Sequence, residues 1–106
     1  MFYQYDQNNS CGIFKVDDEM GIGVKVIIEE DNAVQANNKA EYVGLYFNGV
    51  NDGIDCQCCG DRWVYCSEED AILIENDSLT GYILEPSFIH YKDGTIKKIT
   101  STNNTV

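Results

Sequence analysis

The chain has one proline, one histidine and one tryptophan in 106 residues, and it is poor in basic side chains, with 7 Lys and Arg against 18 Asp and Glu and a formal charge of −11. Each shortage removes a class of function. So few cations supply no basic patch for phosphates, which argues against direct binding to DNA or RNA. No complete set of nucleophile, base and orienting group stands out around His90, so the chain reads as a non-enzyme. Gly21 and Gly23 lack the strand-then-helix context of a phosphate-binding loop. The turn-rich run 48–55 lacks the spaced acids and terminal Glu of a calcium loop. No apolar run reaches the length of a membrane span, and residues 1–9 carry neither the basic nor the apolar region of a signal peptide. A cytoplasmic location follows as the expectation, and with it reduced thiols.

What the chain does have is cysteine, concentrated. Asp55-Cys56-Gln57-Cys58-Cys59-Gly60-Asp61-Arg62-Trp63 holds three of the five cysteines and the tryptophan. Cys56 and Cys59 stand in C-x-x-C spacing with Gly60 directly after, the pattern in which a chain curls around zinc. Cys66 offers a third ligand. His90, Cys11 or Cys58 offers the fourth, and spacing alone does not choose among them. Ordinary zinc ribbons carry two C-x-x-C pairs and this chain carries one. The competing reading is a loop held by Trp63 and by hydrogen bonds from Asp61 and Arg62, with its thiols incidental. A thioredoxin-like redox site is disfavoured, because its C-x-x-C opens a helix and because Asp52, Asp55 and Asp61 are expected to raise the thiol pKa values.

Patterning predicts an α+β fold: a small antiparallel sheet, one principal helix packed on one face, and a cysteine-rich loop. Residues 13–17 and 22–30 read as a strand pair, with Ile22, Val24, Val26 and Ile28 alternating on one face. Asp31 or Asn32 caps a helix whose buried stripe is Ala33, Ala36, Ala40, Val43 and Phe47, with Gly44 weakening its last turn. Residues 62–66 read as a short strand and residues 68–77 are ambiguous. Residues 87–91 and 96–100 form a hairpin about Asp93-Gly94. The length suits one domain over residues 1–100, followed by a disordered polar tail over 101–106.

The acids collect at element ends and in loops. One reading is solvated turns. The other is a partner-binding surface that imitates nucleic-acid phosphates, drawing on Asp52, Asp55, Asp61, Glu68, Glu69 and Asp70, with Trp63 as an aromatic anchor.

The runs Gly44-Leu45-Tyr46-Phe47-Asn48-Gly49-Val50, then residues 52–63, and later His90-Tyr91-Lys92-Asp93-Gly94-Thr95 resemble a family of small, acidic, uncharacterised proteins of tailed bacteriophages carrying a D-C-x-C-C-G-D-R-W motif. The resemblance implies expression inside an infected bacterium and a phage accessory protein that binds a host or defence-system protein to modulate or inhibit it. It implies no activity. The alternative is a small zinc-stabilised structural or regulatory module without an inhibitory role, using Cys56, Cys59, Cys66 and His90.

Overall fold

The computed structural model describes residues 1–8, 14–72 and 86–99. The expected tail, residues 73–77 of the ambiguous acidic segment and the candidate ligand Cys11 lie outside the described residues. Among the described residues six elements follow in chain order: β1 (Phe2–Asp6), β2 (Lys25–Glu29), α1 (Ala33–Val43), β3 (Ala71–Ile72), β4 (Ser87–His90) and β5 (Ile96–Ile99). A single 3-10 turn, Glu68–Asp70, precedes β3.

The strands form one mixed sheet in the order β3-β1-β2-β4-β5. β1 runs antiparallel to β2, placing Tyr3 opposite Ile28, and β4 runs antiparallel to β5. β2 and β4 are parallel, with Val26 beside Phe88 and Ile28 beside His90. The α+β class therefore stands, with a sheet that is mixed rather than wholly antiparallel.

Alternation along the strands sorts the core onto the two faces of the sheet. Tyr3, Tyr5, Val26 and Ile28 pack with Ala33, Ala36 and Ala40 of α1 and with Leu45, Phe47, Trp63 and Cys66. Ile27, Ile89 and Ile99 make a smaller cluster with Phe2 and Tyr91 against it. The alanine stripe lets the helix backbone approach the tyrosines closely. Asn32 starts the helix, its side-chain oxygen accepting from the Gln35 amide at 2.9 Å, and Gly44 ends it. Phe47 reaches the core from the chain beyond that cap, not from the helix itself.

Two expected strands are replaced. The partner of β2 is the chain's opening segment rather than residues 13–17, of which the described part makes only a bridge between Asp17 and Ile22. Tyr-x-Tyr alternation in β1 carries that signal, since Tyr3 and Tyr5 are buried while Gln4 between them is partly exposed. Residues 62–66 join no ladder among the described residues. At Cys66 the backbone is met instead by a side chain: its amide donates to Asn37 Oδ1 at 3.0 Å, and Asn37 Nδ2 donates to its carbonyl at 2.9 Å. One helix asparagine thus does what a neighbouring strand would have done. Among the described residues no helix is long and apolar enough to cross a membrane.

The join between β2 and β4 begins at Gly23. Its neighbour Val24 donates to the Pro86 carbonyl at 2.8 Å, and a Cβ at Gly23 would collide with that same carbonyl and sit 3.1 Å from the Phe88 ring. Gly23→Ala is expected to destabilise the fold by about 1–3 kcal/mol, the usual range for overpacking a tight site. Urea denaturation checks this, and an unchanged midpoint would contradict the close approach.

Candidate functional site: a braced thiol loop

After Phe47 the chain enters a run of turns because Asn48, Gly49, Asn51, Asp52 and Gly53 favour them. The turns close on themselves: Asp52 N–H donates to Asn48 O at 3.0 Å, and the Ile54 and Asp55 amides both donate to Gly49 O. A second tight turn follows, with Cys59 and Gly60 amides donating to Cys56 O at 3.2 and 3.0 Å. Gly60 adopts φ +87, a conformation that a side chain would resist, which explains the glycine directly after the last thiol.

Beneath these turns lies a buried polar network. The Asp55 carboxylate accepts from Tyr46 Oη at 2.8 Å and from the Arg62 amide at 2.8 Å, and it lies 3.8 Å from Arg62 Nε. The side chains of this ion pair are 4% and 1% exposed for Arg62 and Asp55. The guanidinium also donates to Tyr46 Oη at 3.1 Å and to Gln7 Oε1 at 2.8 Å. Gln7 donates in turn to the Gly23 carbonyl at 2.8 Å. Just past β1, Asn8 donates to the loop: its amide to Arg62 O, and its Nδ2 to Cys59 O at 2.6 Å and Asp61 O at 3.2 Å. The loop is therefore pinned at its exit to the segment that follows β1, and Asp55 is tied in through Arg62 and Tyr46.

What it presents outward is thiol. Cys56, Cys58 and Cys59 bring their sulfurs within 4.8 Å of one another, and none is in a disulfide. Cys58 and Cys59 are exposed and Cys56 is half-buried. Cys56 and Cys58 Sγ lie 2.8 Å apart, and Cys58 and Cys59 Sγ 3.7 Å apart. The hydrogen bond from the Cys58 thiol, joined by the Cys58 and Cys59 backbone amides, draws the Cys56 pKa down to about 7. The same bond pushes Cys58 up to about 11. The expectation that nearby acids raise every thiol in the loop fails at Cys56, because donors at bonding distance outweigh carboxylates that point elsewhere.

The ligand set expected from spacing is corrected. Cys56 and Cys59 converge, but their third companion is Cys58, not Cys66 or His90. Cys66 is 7% exposed and its thiol donates inward to the Gln4 carbonyl at 3.1 Å, with burial pushing its pKa up to about 11. His90 is 2% exposed on β4, where Nε2 donates to the Gly21 carbonyl at 2.7 Å, and desolvation lowers its pKa. Both side chains are spent on the core. For the three that converge, the donor set fits zinc: thiolates at about 2.3 Å in a tetrahedron lie about 3.8 Å apart. The Cys58 to Cys59 separation already matches that edge, while Cys56 and Cys58 must part by about 1 Å.

The acidic candidates also divide. Asp52, Glu68, Glu69 and Asp70 stay exposed. Asp55 is buried in the network, and Asp61 Oδ1 accepts from the Val50 amide at 2.9 Å. Trp63 is 2% exposed, so it is a core residue rather than a surface anchor. Glu68 reaches across to the start of α1, where Oε1 accepts from the Ala33 amide at 2.6 Å and Oε2 from Tyr3 Oη at 2.9 Å. Asp70 closes a capping box with Ser67. These acids serve helix and turn ends, where unsatisfied amides favour a carboxylate. Gln7 and Asn8, which hold the loop, gave no signal in the sequence, because an isolated amide acquires its role only from what it reaches.

Removing one partner of the buried pair leaves the other charge uncompensated, so Asp55→Ala is expected to cost about 3–5 kcal/mol in urea denaturation. A loss below about 1 kcal/mol, the value of an exposed pair, would contradict its burial. In the reduced, metal-free protein, alkylation of Cys56 should rise through pH 7, since the thiolate is the reacting form, while Cys66 stays unreactive until the fold opens. Peptide mapping of a pulse of iodoacetamide across pH 6 to 8 reads this directly.

Comparison with known proteins gives a family and no activity. No curated protein and no solved structure matches the chain. One family model does match, over residues 1–106, and the chain belongs to that family, described as Domain of unknown function (DUF7296).

Proposed function

We propose that this chain is a non-enzymatic binding protein whose working element is the braced loop, and that Cys56, Cys58 and Cys59 hold one zinc ion there. The observation that carries the reading is the pairing of an exposed three-thiol cluster with a buried ion pair directly beneath it. A buried charge pair seldom adds net stability over a well-packed apolar substitute. Here it holds a loop in one place, and the loop's outward residues are soft metal ligands. Three thiolates leave a fourth position for water or for a donor from a partner, and zinc in such a site organises the loop without redox chemistry of its own.

The partner in this proposal is a host or defence-system protein of an infected bacterium, the setting that the phage resemblance implies. A net charge of −11 suits a basic surface on that partner. Asp52 and Ile54, exposed on the turns that lead into the thiols, are the side chains proposed to touch it. Binding by acidic mimicry, with the protein occupying a nucleic-acid groove, is the second reading. It draws support from the charge and from the exposure of Asp52, Glu68, Glu69 and Asp70, while Asp55 is buried and Asp61 accepts from the Val50 amide.

Reduced protein dialysed against a zinc buffer is expected to retain one zinc per chain, and Cys58→Ser to retain none at the same free zinc. Elemental analysis reads both. Wild-type zinc at background, with melting unchanged by a chelator, would sink the metal reading. Recovery of a basic protein from bacterial lysate, lost at high salt and on Asp52→Lys, would support the partner reading.

A further inference from the structure

The three thiols are not equivalent. Cys56 and Cys58 Sγ are 2.8 Å apart, and a disulfide requires about 2.05 Å, so side-chain rotation of less than about 1 Å would close that pair. Cys58 and Cys59 are farther apart, at 3.7 Å, and their disulfide would form a small ring containing their shared peptide bond, which planarity resists. Exposure of the loop admits a small reagent to these sulfurs, whereas Cys66 is buried on Gln4. Asn8 and the Asp55–Arg62 pair hold the backbone on either side, so the two sulfurs do not drift apart between encounters.

We propose that Cys56 and Cys58 form a dithiol–disulfide couple that exchanges with low-molecular-weight disulfides, and that closing it releases the metal; only the release half rests on the zinc reading. One loop thiolate attacks a sulfur of the small disulfide, forming a mixed disulfide and expelling the first small thiolate. The second loop thiol gives its proton to solvent, attacks the loop sulfur of the mixed disulfide and expels the second small thiolate. Two loop thiols are oxidised by two electrons to one disulfide, and the small disulfide is reduced to two thiols that carry both protons. Two of three metal ligands are then tied up in the S–S bond, and Cys59 alone does not retain the ion.

The test uses the full chain, reduced, stripped of metal with a chelator, incubated with oxidised glutathione, alkylated and digested with trypsin. Cleavage after Lys39 and Arg62 yields fragment 40–62, which contains the three loop cysteines and no others. The expected fragment lacks two hydrogen atoms and carries a single alkyl group. The same loss of two hydrogens persists in Cys59→Ser and is absent in both Cys56→Ser and Cys58→Ser. Three alkyl groups in the wild type, stable glutathione adducts in place of the ring, or a ring that survives Cys58→Ser would overturn the couple. In zinc-loaded protein one ion is expected to leave for each ring closed, and closure with zinc retained overturns the release. A chain that closes the ring but never binds zinc overturns the release and the zinc reading together, leaving the couple standing.

Discussion

Everything that makes the thiol loop a site depends on the Asp55–Arg62 pair. Both side chains are nearly inaccessible, and each is satisfied by more than the other: Tyr46 serves both, Gln7 takes the guanidinium, and the Arg62 backbone amide takes the second carboxylate oxygen. The arrangement ties residues that are far apart in sequence, from the end of β1 to the exit of the cysteine loop. Loops normally keep their freedom because their polar groups face water. This one exchanges water for protein on its inner side and leaves only its outer side wet.

The second organising device is the same idea on a smaller scale. Polar side chains take the places of missing secondary structure. Asn37 pairs with the backbone of Cys66 where no strand runs, and Glu68 satisfies an amide at the start of α1 while holding the Tyr3 hydroxyl. Asp55 is buried, Glu68 and Asp70 accept hydrogen bonds while staying exposed, and others are matched by lysines, as in the pairs Lys39 with Glu30 and Lys98 with Asp18. Exposed pairs such as Lys98 with Asp18 contribute little to stability. They do change what the net charge means: it is a property of the whole surface more than of one acidic face.

Much of the scaffold was readable from pattern. The helix and its alanine stripe follow from 3.6-residue periodicity, residue type narrows its cap to Asp31 or Asn32, and the β4–β5 hairpin follows from a turn sequence between apolar runs. The strand Lys25–Glu29 follows from alternation. What pattern assigned wrongly was pairing. The partner of β2 lies at the start of the chain, and β2 meets β4 in parallel, because strand neighbours are chosen by which faces bury the most apolar area, a quantity that no local window contains.

By itself the sequence determined a small α+β chain, poor in cations, with its distinctive chemistry concentrated in one turn-rich loop of three thiols. Composition and spacing suffice for that, since turn preference and helix periodicity are local. Only the tertiary structure decided which thiols belong together. Cys58 joins Cys56 and Cys59, while Cys66 and His90 turn inward, because burial and the hydrogen bonds to Gln4 and Gly21 claim them first. It also decided that Trp63 is core and Asp55 is structural. Residue type sets what a side chain is able to do, and the space around it sets which of those things it does.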